Sequence, residues 1–239
     1  LHITRSSENR AASLVTESEQ VTGRLERIND SSSLSLLLYD WYIRHGHARN
    51  KQDEAELDRF LEQHMPAEPA QGRGFYETLY ISQSYSWYAF IRQDFLMYYR
   101  YTQKWVDTFH KYPEMIKVET LQYIKGLHNL LSAHFDLRNE TGFSRALQLF
   151  EEFERTDVVQ TNDNNRIQAF VYLQLARINQ HFLTGTFTEG LQLVSYLEEK
   201  LEEYRLQLDR HRVLVFYYKI ACLYFGSGEN EKAIDYLQE

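Results

Sequence analysis

The stretch that decides the fold lies near the carboxyl end, where residues 217–237 read YYKIACLYFGSGENEKAIDYL. Apolar residues recur there every three or four positions on both sides of a Gly-containing turn, which predicts two consecutive helices. Ala221 and Ala233 place one small side chain on each helix. Two helices approach closely where both carry small side chains, and larger residues interlock around that contact. The segment therefore predicts a helical hairpin.

The pair of small residues recurs three times upstream, and the second members are about 44 residues apart. An apolar residue returns four positions after each second member, as Val106, Phe150, Val194 and Leu237. Hairpins of this kind cannot bury their apolar faces alone, so they stack on their neighbours. The upstream pairs are Ala89 with Thr102, Ala133 with Ala146, and Ala176 with Gly190.

The last unit resembles the tetratricopeptide-repeat (TPR) family in the spacing of Tyr217, Ile220, Ala221, Tyr224, Gly228, Ala233 and Leu237. The earlier units are similar to it only loosely, and their pitch exceeds the usual 34 residues of that family. The resemblance covers residues 75–239. It implies an all-α fold, an α-solenoid of stacked antiparallel helical hairpins with a right-handed superhelix, and a concave surface that binds a protein or peptide.

The chain is expected to have three segments. Residues 1–30 form an amphipathic helix whose stripe includes Leu14, Val21 and Leu25. This helix is expected to dock on its own fold, with a dimerising or linker helix as the alternative. Residues 31–74 form a degenerate first hairpin and a loop, with helix caps at 30–33 and at Asp53, and with 66–74 as the best candidate for a break. Residues 75–239 form about four TPR-like hairpins, of which the last is expected to be incomplete.

Composition excludes several classes of partner. The net charge is −8 and no basic run is present, which argues against binding to nucleic acid or to an anionic membrane. No apolar stretch reaches the length of a membrane span, so a cytoplasmic protein is expected. Cys222 lies in an apolar stretch and predicts a buried, inert thiol.

No motif with a defined catalytic mechanism is present, so no enzymatic activity, cofactor or metal is expected. His45 and His47 form the tightest histidine pair, and nothing adjacent in sequence completes a metal site around them. The many aromatic residues between Phe75 and Tyr112 are interpreted mainly as core packing, with an aromatic groove for a peptide as the alternative.

Carried over onto this sequence, the binding surface of the TPR family selects residues that flank each small position on the first helix of a hairpin. Of these, Arg138, Arg177 and His181 are suited to gripping a carboxylate. The Lys and Asn pattern of the family's carboxylate-clamp subtype is not reproduced. The predicted ligand-binding residues are Gln83, Ser86, Phe90, Gln93, His134, Arg138, Arg177, Gln180, His181, Tyr218 and Phe225.

The sequence thus favours a non-catalytic scaffold that binds a protein or peptide. Three alternatives remain open at this stage. They are a regulatory sensor domain of a larger protein, a helical enzyme with an aromatic-lined pocket, and a structural protein that self-associates into a homo-oligomer through the N-terminal stripe and the last hairpin.

Overall fold

A computed structural model describes residues 2–66 and 72–238 of the chain, with side chains from residue 10 onward. The protein is all-α, and the described residues contain no strand. The chain divides into two compact units, Leu1–Thr108 and Phe109–Glu239. The division falls within a helix, whereas the break expected at 66–74 lies inside the first unit, and residues 67–71 of that segment are outside the described part.

The first unit contains α1 (His2–His45), α2 (Lys51–His64), α3 (Phe75–Arg92) and most of α4 (Phe95–Lys111). Helix α1 packs along α3, and α2 closes the same core. Leu34 and Leu38 of α1 and Leu57 of α2 are buried with Ile81 and Ile91 of α3.

The helix start expected at residues 30–33 is wrong, because α1 continues through them without a break. The hydroxyl of Ser31 donates to the carbonyl oxygen of Arg27, one turn earlier, at 2.8 Å. A serine that bonds back to its own helix does not act as a cap. Ser31 and Ser35 are both buried, so these short side chains let α1 approach the rest of its unit closely.

Helix α2 begins one turn earlier than Asp53 would have placed it. Asn50 is the N-cap, and its side-chain oxygen accepts hydrogen bonds from the backbone N–H groups of Gln52 and Asp53. Asp58 occupies the position where a small residue would continue the repeat. It accepts hydrogen bonds from Tyr88 at 2.5 Å and from Arg92 at 2.6 Å, which tie α2 to α3.

The aromatic residues between positions 75 and 112 are mainly packing residues. All of them except Phe95 are buried or half-buried. Tyr85 of α3 stacks on Tyr101 of α4 with 4.3 Å between ring centroids. This placement supports the interpretation of the cluster as core.

The second unit begins with the end of α4 and continues through nine α-helices and one 3₁₀-helix in its described part. Their bounds are α5 (Met115–Val118), α6 (Thr120–Asp136), α7 (Glu140–Glu154), α8 (Asp157–Gln160), α9 (Asp163–Thr184), α10 (Phe187–Gly190), the 3₁₀-helix Leu191–Leu193, α11 (Val194–Glu203), α12 (Arg210–Ser227) and α13 (Asn230–Gln238). Helix α9 packs against both α6 and α12, and consecutive helices α6 and α7, and α12 and α13, pack on each other.

All eight small residues of the sequence repeat are buried. Gly190 shows why one of them must be small. A Cβ atom at this position would lie 2.7 Å from Leu223 Cδ2 of α12 and 3.0 Å from His181 Cγ of α9. Only a glycine permits such an approach without a shift of its neighbours.

The apolar residue four positions after the second small residue is buried in the first three repeats and exposed in the last repeat. Val106, Phe150 and Val194 are at most 4% exposed, whereas Leu237 is 62% exposed. Leu237 lies on α13, on a side that no other described residue covers. The same side carries Ile234, which is 53% exposed.

Candidate functional site

Helix α9 carries one surface on which side chains from α6 and α12 meet. We call it the α9 face and define it by Tyr172, Asn179 and Phe182 of α9, His128 of α6 and Lys219 of α12. The N-cap Asn162 starts α9 by accepting the N–H of Asn165, and Gly185 ends it in the left-handed conformation at φ +71°. Tyr172 and Asn179 are seven residues apart, two helical turns, and therefore lie on the same side of α9.

His128 and Tyr172 form a parallel ring stack. Their centroids are 4.0 Å apart and their planes differ by 12°. Burial, together with the positive charge of Lys219, lowers the pKa of His128 to about 4. The imidazole is therefore neutral at pH 7, and the pair offers a flat, uncharged aromatic surface.

Lys219 is a half-buried cation whose polar partner is a neutral amide. Its Nζ donates to Asn179 Oδ1 at 2.6 Å and lies 5.2 Å from the centroid of the Phe182 ring. Burial lowers the pKa of Lys219, against an opposing contribution from Cys222. Within the described part of the chain, no carboxylate forms an ion pair with this ammonium group.

A partly buried charge without a counterion is costly, and an anionic group that reaches it regains that energy through charge-assisted hydrogen bonds. Lys219 has further N–H donors beyond the one that Asn179 accepts. The ring of Phe182 provides apolar contact area beside the charge. The stack of His128 and Tyr172 lies near enough for the charge of Lys219 to act on His128. This arrangement suits a carboxylate attached to an apolar or aromatic segment.

The predicted ligand-binding residues of the first unit are mostly internal. Gln83 and Ser86 are buried, and the Ser86 hydroxyl donates to the carbonyl oxygen of Ser82. Phe90 is half-buried and packs edge-on against Tyr42. Gln93 is exposed at the end of α3, where it adopts the left-handed conformation at φ 58°. The four residues do not form one surface.

Two predicted residues of α9 contact the helices that follow the first helix of a hairpin, namely α7 and α10. Arg177 donates from Nε and Nη2 to Glu151 Oε1 of α7, at 3.0 and 2.9 Å. His181 shares a 2.8 Å hydrogen bond with the hydroxyl of Thr186 and packs against Gly190. Arg177 therefore already has an acidic partner, unlike Lys219.

The remaining predicted residues are spread over three helices. His134 is buried in α6, and burial lowers its pKa. Arg138 is exposed after α6 in the left-handed conformation, and Gln180 is half-buried on α9. Tyr218 and Phe225 of α12 are 61% and 71% exposed, so both are accessible to a partner.

The residues that define the α9 face were not selected from the sequence, although Lys219 carries a signal. It is the only charged residue between Val213 and Phe225, in a run that is otherwise apolar or weakly polar. A charge inside such a run must lie either in a groove or at a buried partner. Cys222 lies one turn further on and is half-buried rather than fully buried as expected.

A separate cavity of about 440 Å³ lies among α11, α12 and α13. Three of its eight lining residues are acidic, and the Tyr236 hydroxyl donates to Glu198 there. The cavity is not the aromatic-lined pocket proposed for the enzyme alternative, because none of its lining residues belongs to the 75–112 region. Its lining is Glu198, Leu201, Glu202, Arg205, Val213, Tyr217, Asp235 and Tyr236.

The histidine pair near the end of α1 is engaged in packing. His45 lies 4.8 Å from Trp41 between ring centroids, and His47 Nδ1 lies 3.0 Å from the carbonyl oxygen of Phe90. Across residues 10–66 and 72–238, whose side chains the structure describes, no group of three or more His, Cys, Asp or Glu side chains is arranged to hold a metal ion. None of the helices described combines the length and apolar content needed to cross a lipid bilayer.

Comparisons of the chain with protein-family models, curated proteins and solved structures returned no significant match.

Proposed function

We propose that this protein is a non-catalytic, TPR-like helical-repeat scaffold that binds a carboxylate-bearing protein or peptide segment on the α9 face. In this proposal the first helices α6, α9 and α12 line the concave side of a stack of hairpins. The burial of all eight small residues of the repeat supports the hairpins, because the two helices of each hairpin are expected to meet at these positions. The close approach of Gly190 to Leu223 of α12 supports stacking on the next hairpin.

The observation that carries the proposal is the state of Lys219. A half-buried ammonium group whose polar partner is the amide of Asn179 can donate further hydrogen bonds to an anionic group. The neutral stack of His128 and Tyr172 adds contact area without adding charge. Rigid aromatic side chains of this kind give large contact areas at low entropic cost.

The test is a selection of short random peptides that bind the full chain. Each peptide is offered in two forms, one with a free carboxyl terminus and one with an amidated carboxyl terminus. Selected peptides are then measured by fluorescence polarisation against the parent chain and Lys219→Gln. Loss of one charge-assisted hydrogen bond is expected to weaken binding by about 10- to 100-fold. A preference for the free form identifies a terminal carboxylate, and equal capture of both forms identifies an acidic side chain.

Lys232→Gln is the matched control. Lys232 also belongs to the last hairpin, but it is already paired with Glu229 at 2.6 Å. This variant should bind selected peptides as the parent does. The proposal would be contradicted if Lys219→Gln and the parent bind the peptides equally well. It would also be contradicted if no peptide binds the parent.

A further inference from the structure

Helix α1 carries a largely exposed apolar stripe, of which, in the described structure, only Tyr39 contacts α3 by a ring contact, with 5.2 Å between its ring centroid and that of Trp87. Six large apolar residues on this stripe are between 46% and 66% exposed. The opposite side of the same helix holds Leu34 and Leu38, which are buried against the first unit. The exposed residues are Leu14, Val21, Leu25, Leu36, Tyr39 and Ile43.

The first half of this stripe is left uncovered by the residues that the structure describes. Every position from 10 to 22 is exposed, so that part of α1 has none of its sides packed within the described structure. A single helical segment of this length is marginal in water without packing of its apolar side. The stripe therefore calls for a partner helix.

The steps in sequence between stripe residues are the same whether they are counted from the N-terminal or from the C-terminal end of α1. With Ser18 and Ser32 included, the stripe occupies positions 14, 18, 21 and 25, and then 32, 36, 39 and 43. Each set advances by steps of four, three and four. The average of about 3.6 residues per turn matches a straight α-helix, so the stripe stays on one side over its whole length of about 44 Å.

We propose that a second copy of this chain covers the stripe, with the two α1 helices antiparallel. A two-fold axis midway between Ile28 and Asn29 would place Leu14 of one copy against Ile43 of the other. By the same operation Val21 meets Leu36. Each contact is made twice, as in the isologous interface of a symmetric dimer.

The symmetry argues for a copy of this chain over an unrelated helix, since the same operation also sets the large Leu25 and Tyr39 against the small Ser32 and Ser18. The exposed stripe is also extensive. Each of its six large side chains is 46% to 66% exposed, and a specific interface buries about 800 Å² per partner. The interface would use α1 of the first unit.

The first experiment measures the mass of the full chain over a concentration series by sedimentation velocity. The parent is expected to reach twice the 28.6 kDa of one chain. Val21→Glu places a charge in the middle of the stripe and should raise the dimer dissociation constant by at least about 30-fold. Gln20→Glu adds the same charge at a neighbouring exposed position on the opposite side of α1, and should dimerise as the parent does.

A parent chain that stays monomeric at every concentration would overturn the proposal, including the case in which the stripe binds a different protein. Dimerisation of Val21→Glu with the parent's dissociation constant would overturn it as well. Circular dichroism of both variants establishes that α1 remains helical.

The second experiment fixes the direction of the helices by cross-linking in a Cys222→Ser background, which removes the only native thiol. The double variant Leu14→Cys, Ile43→Cys should form a disulfide-linked dimer on oxidation. Leu14→Cys alone should not, because its two thiols lie at opposite ends of the antiparallel pair. Efficient linkage of the single variant would indicate parallel helices and contradict the proposed arrangement.

Discussion

The imidazole of His128 lies parallel to the ring of Tyr172, 4.0 Å away, and thereby joins α6 to α9. The histidine of this stack is held in its neutral form. Burial and the charge of Lys219 both disfavour the imidazolium, which is why the pKa of His128 falls to about 4. The same charge that we assign to ligand binding therefore also keeps the neighbouring platform neutral.

This coupling predicts a loss of stability in acid. Below the ordinary histidine pKa of 6.5, the unfolded chain takes up a proton at His128 that the folded chain resists until about pH 4. The contribution is fully present above pH 6.5 and declines between pH 6.5 and 4, by up to about 3 kcal/mol for the second unit. Urea unfolding followed by far-UV circular dichroism at several pH values measures it.

The matched variant is His128→Phe, which keeps a ring on Tyr172 and removes the proton site. Its free energy of unfolding should fall less than that of the parent over the same pH interval. An NMR titration in which the His128 ring protonates near pH 6.5 in the folded state would contradict this account.

Much of the fold could be predicted because its signals are local. Small residues at a regular spacing marked the helix contacts, and their burial follows from close packing at those positions. The continuity of α1 could not be predicted from the Asp-Ser-Ser-Ser segment at 30–33. Serine is favoured both at caps and in helix contacts, and only the presence of α3 decides between these two roles.

The candidate site was harder to predict because it depends on helix rotation. From Ala176, Arg177 lies about 100° round the helix in one direction, whereas Asn179 lies about 60° in the other. The sequence does not say which of these directions is open. The structure places Arg177 beside Glu151 and Asn179 beside Lys219, so the open side is the one that carries Asn179.

Glu77 is expected to stabilise the first unit through two contacts of its buried carboxylate. Its Oε1 accepts from Arg27 Nε of α1 at 2.7 Å, and its Oε2 accepts from the Gly74 N–H at 2.8 Å. Glu77→Gln should lower the free energy of unfolding at pH 7 by about 1–2 kcal/mol. Tryptophan fluorescence reads this unit alone, because all three tryptophans lie before residue 109.

The effect of Glu77→Gln should depend on pH. Burial raises the pKa of Glu77, but the hydrogen bonds from Gly74 and Arg27 outweigh it and hold the pKa below its ordinary 4.5. The stabilisation is present above pH 4.5 and is lost as the pH falls through the lowered value. The difference between parent and variant should therefore shrink in acid, and a constant difference would exclude the charged contact as its source.

Gln174 is a buried polar residue whose replacement should stabilise the second unit. It is 3% exposed, and its Oε1 has no hydrogen-bond partner among the described residues. Its neighbours on the same stripe of α9 are the buried Val171 and Ile178. Gln174→Leu should raise the free energy of unfolding by about 1 kcal/mol, measured by urea unfolding with circular dichroism. A loss of stability would show that a water or a shifted rotamer satisfies this oxygen.

Gly142 is expected to tolerate no methyl group, because α7 begins directly against a buried ring of α6. A Cβ atom at this position would lie 2.4 Å from His134 Cε1, and His134 is only 5% exposed. Gly142→Ala should therefore destabilise the second unit by about 1–3 kcal/mol. Gly23→Ala is the control, since its new methyl group meets nothing closer than 3.6 Å and alanine favours the helix by about 1 kcal/mol.

A double-mutant cycle with His134→Ala identifies the origin of the Gly142→Ala effect. Removing the imidazole relieves the two closest contacts of the methyl group and leaves the one with Asn139 Nδ2 at 2.8 Å, so Gly142→Ala should cost less in the His134→Ala background than in the parent. Hydrogen exchange of the backbone amides of α6 and α7, measured by mass spectrometry, reports the local stability of these two helices in each variant. An equal cost in the two backgrounds would mean that the methyl group strains the start of α7 itself, and that the ring of His134 is not what excludes it.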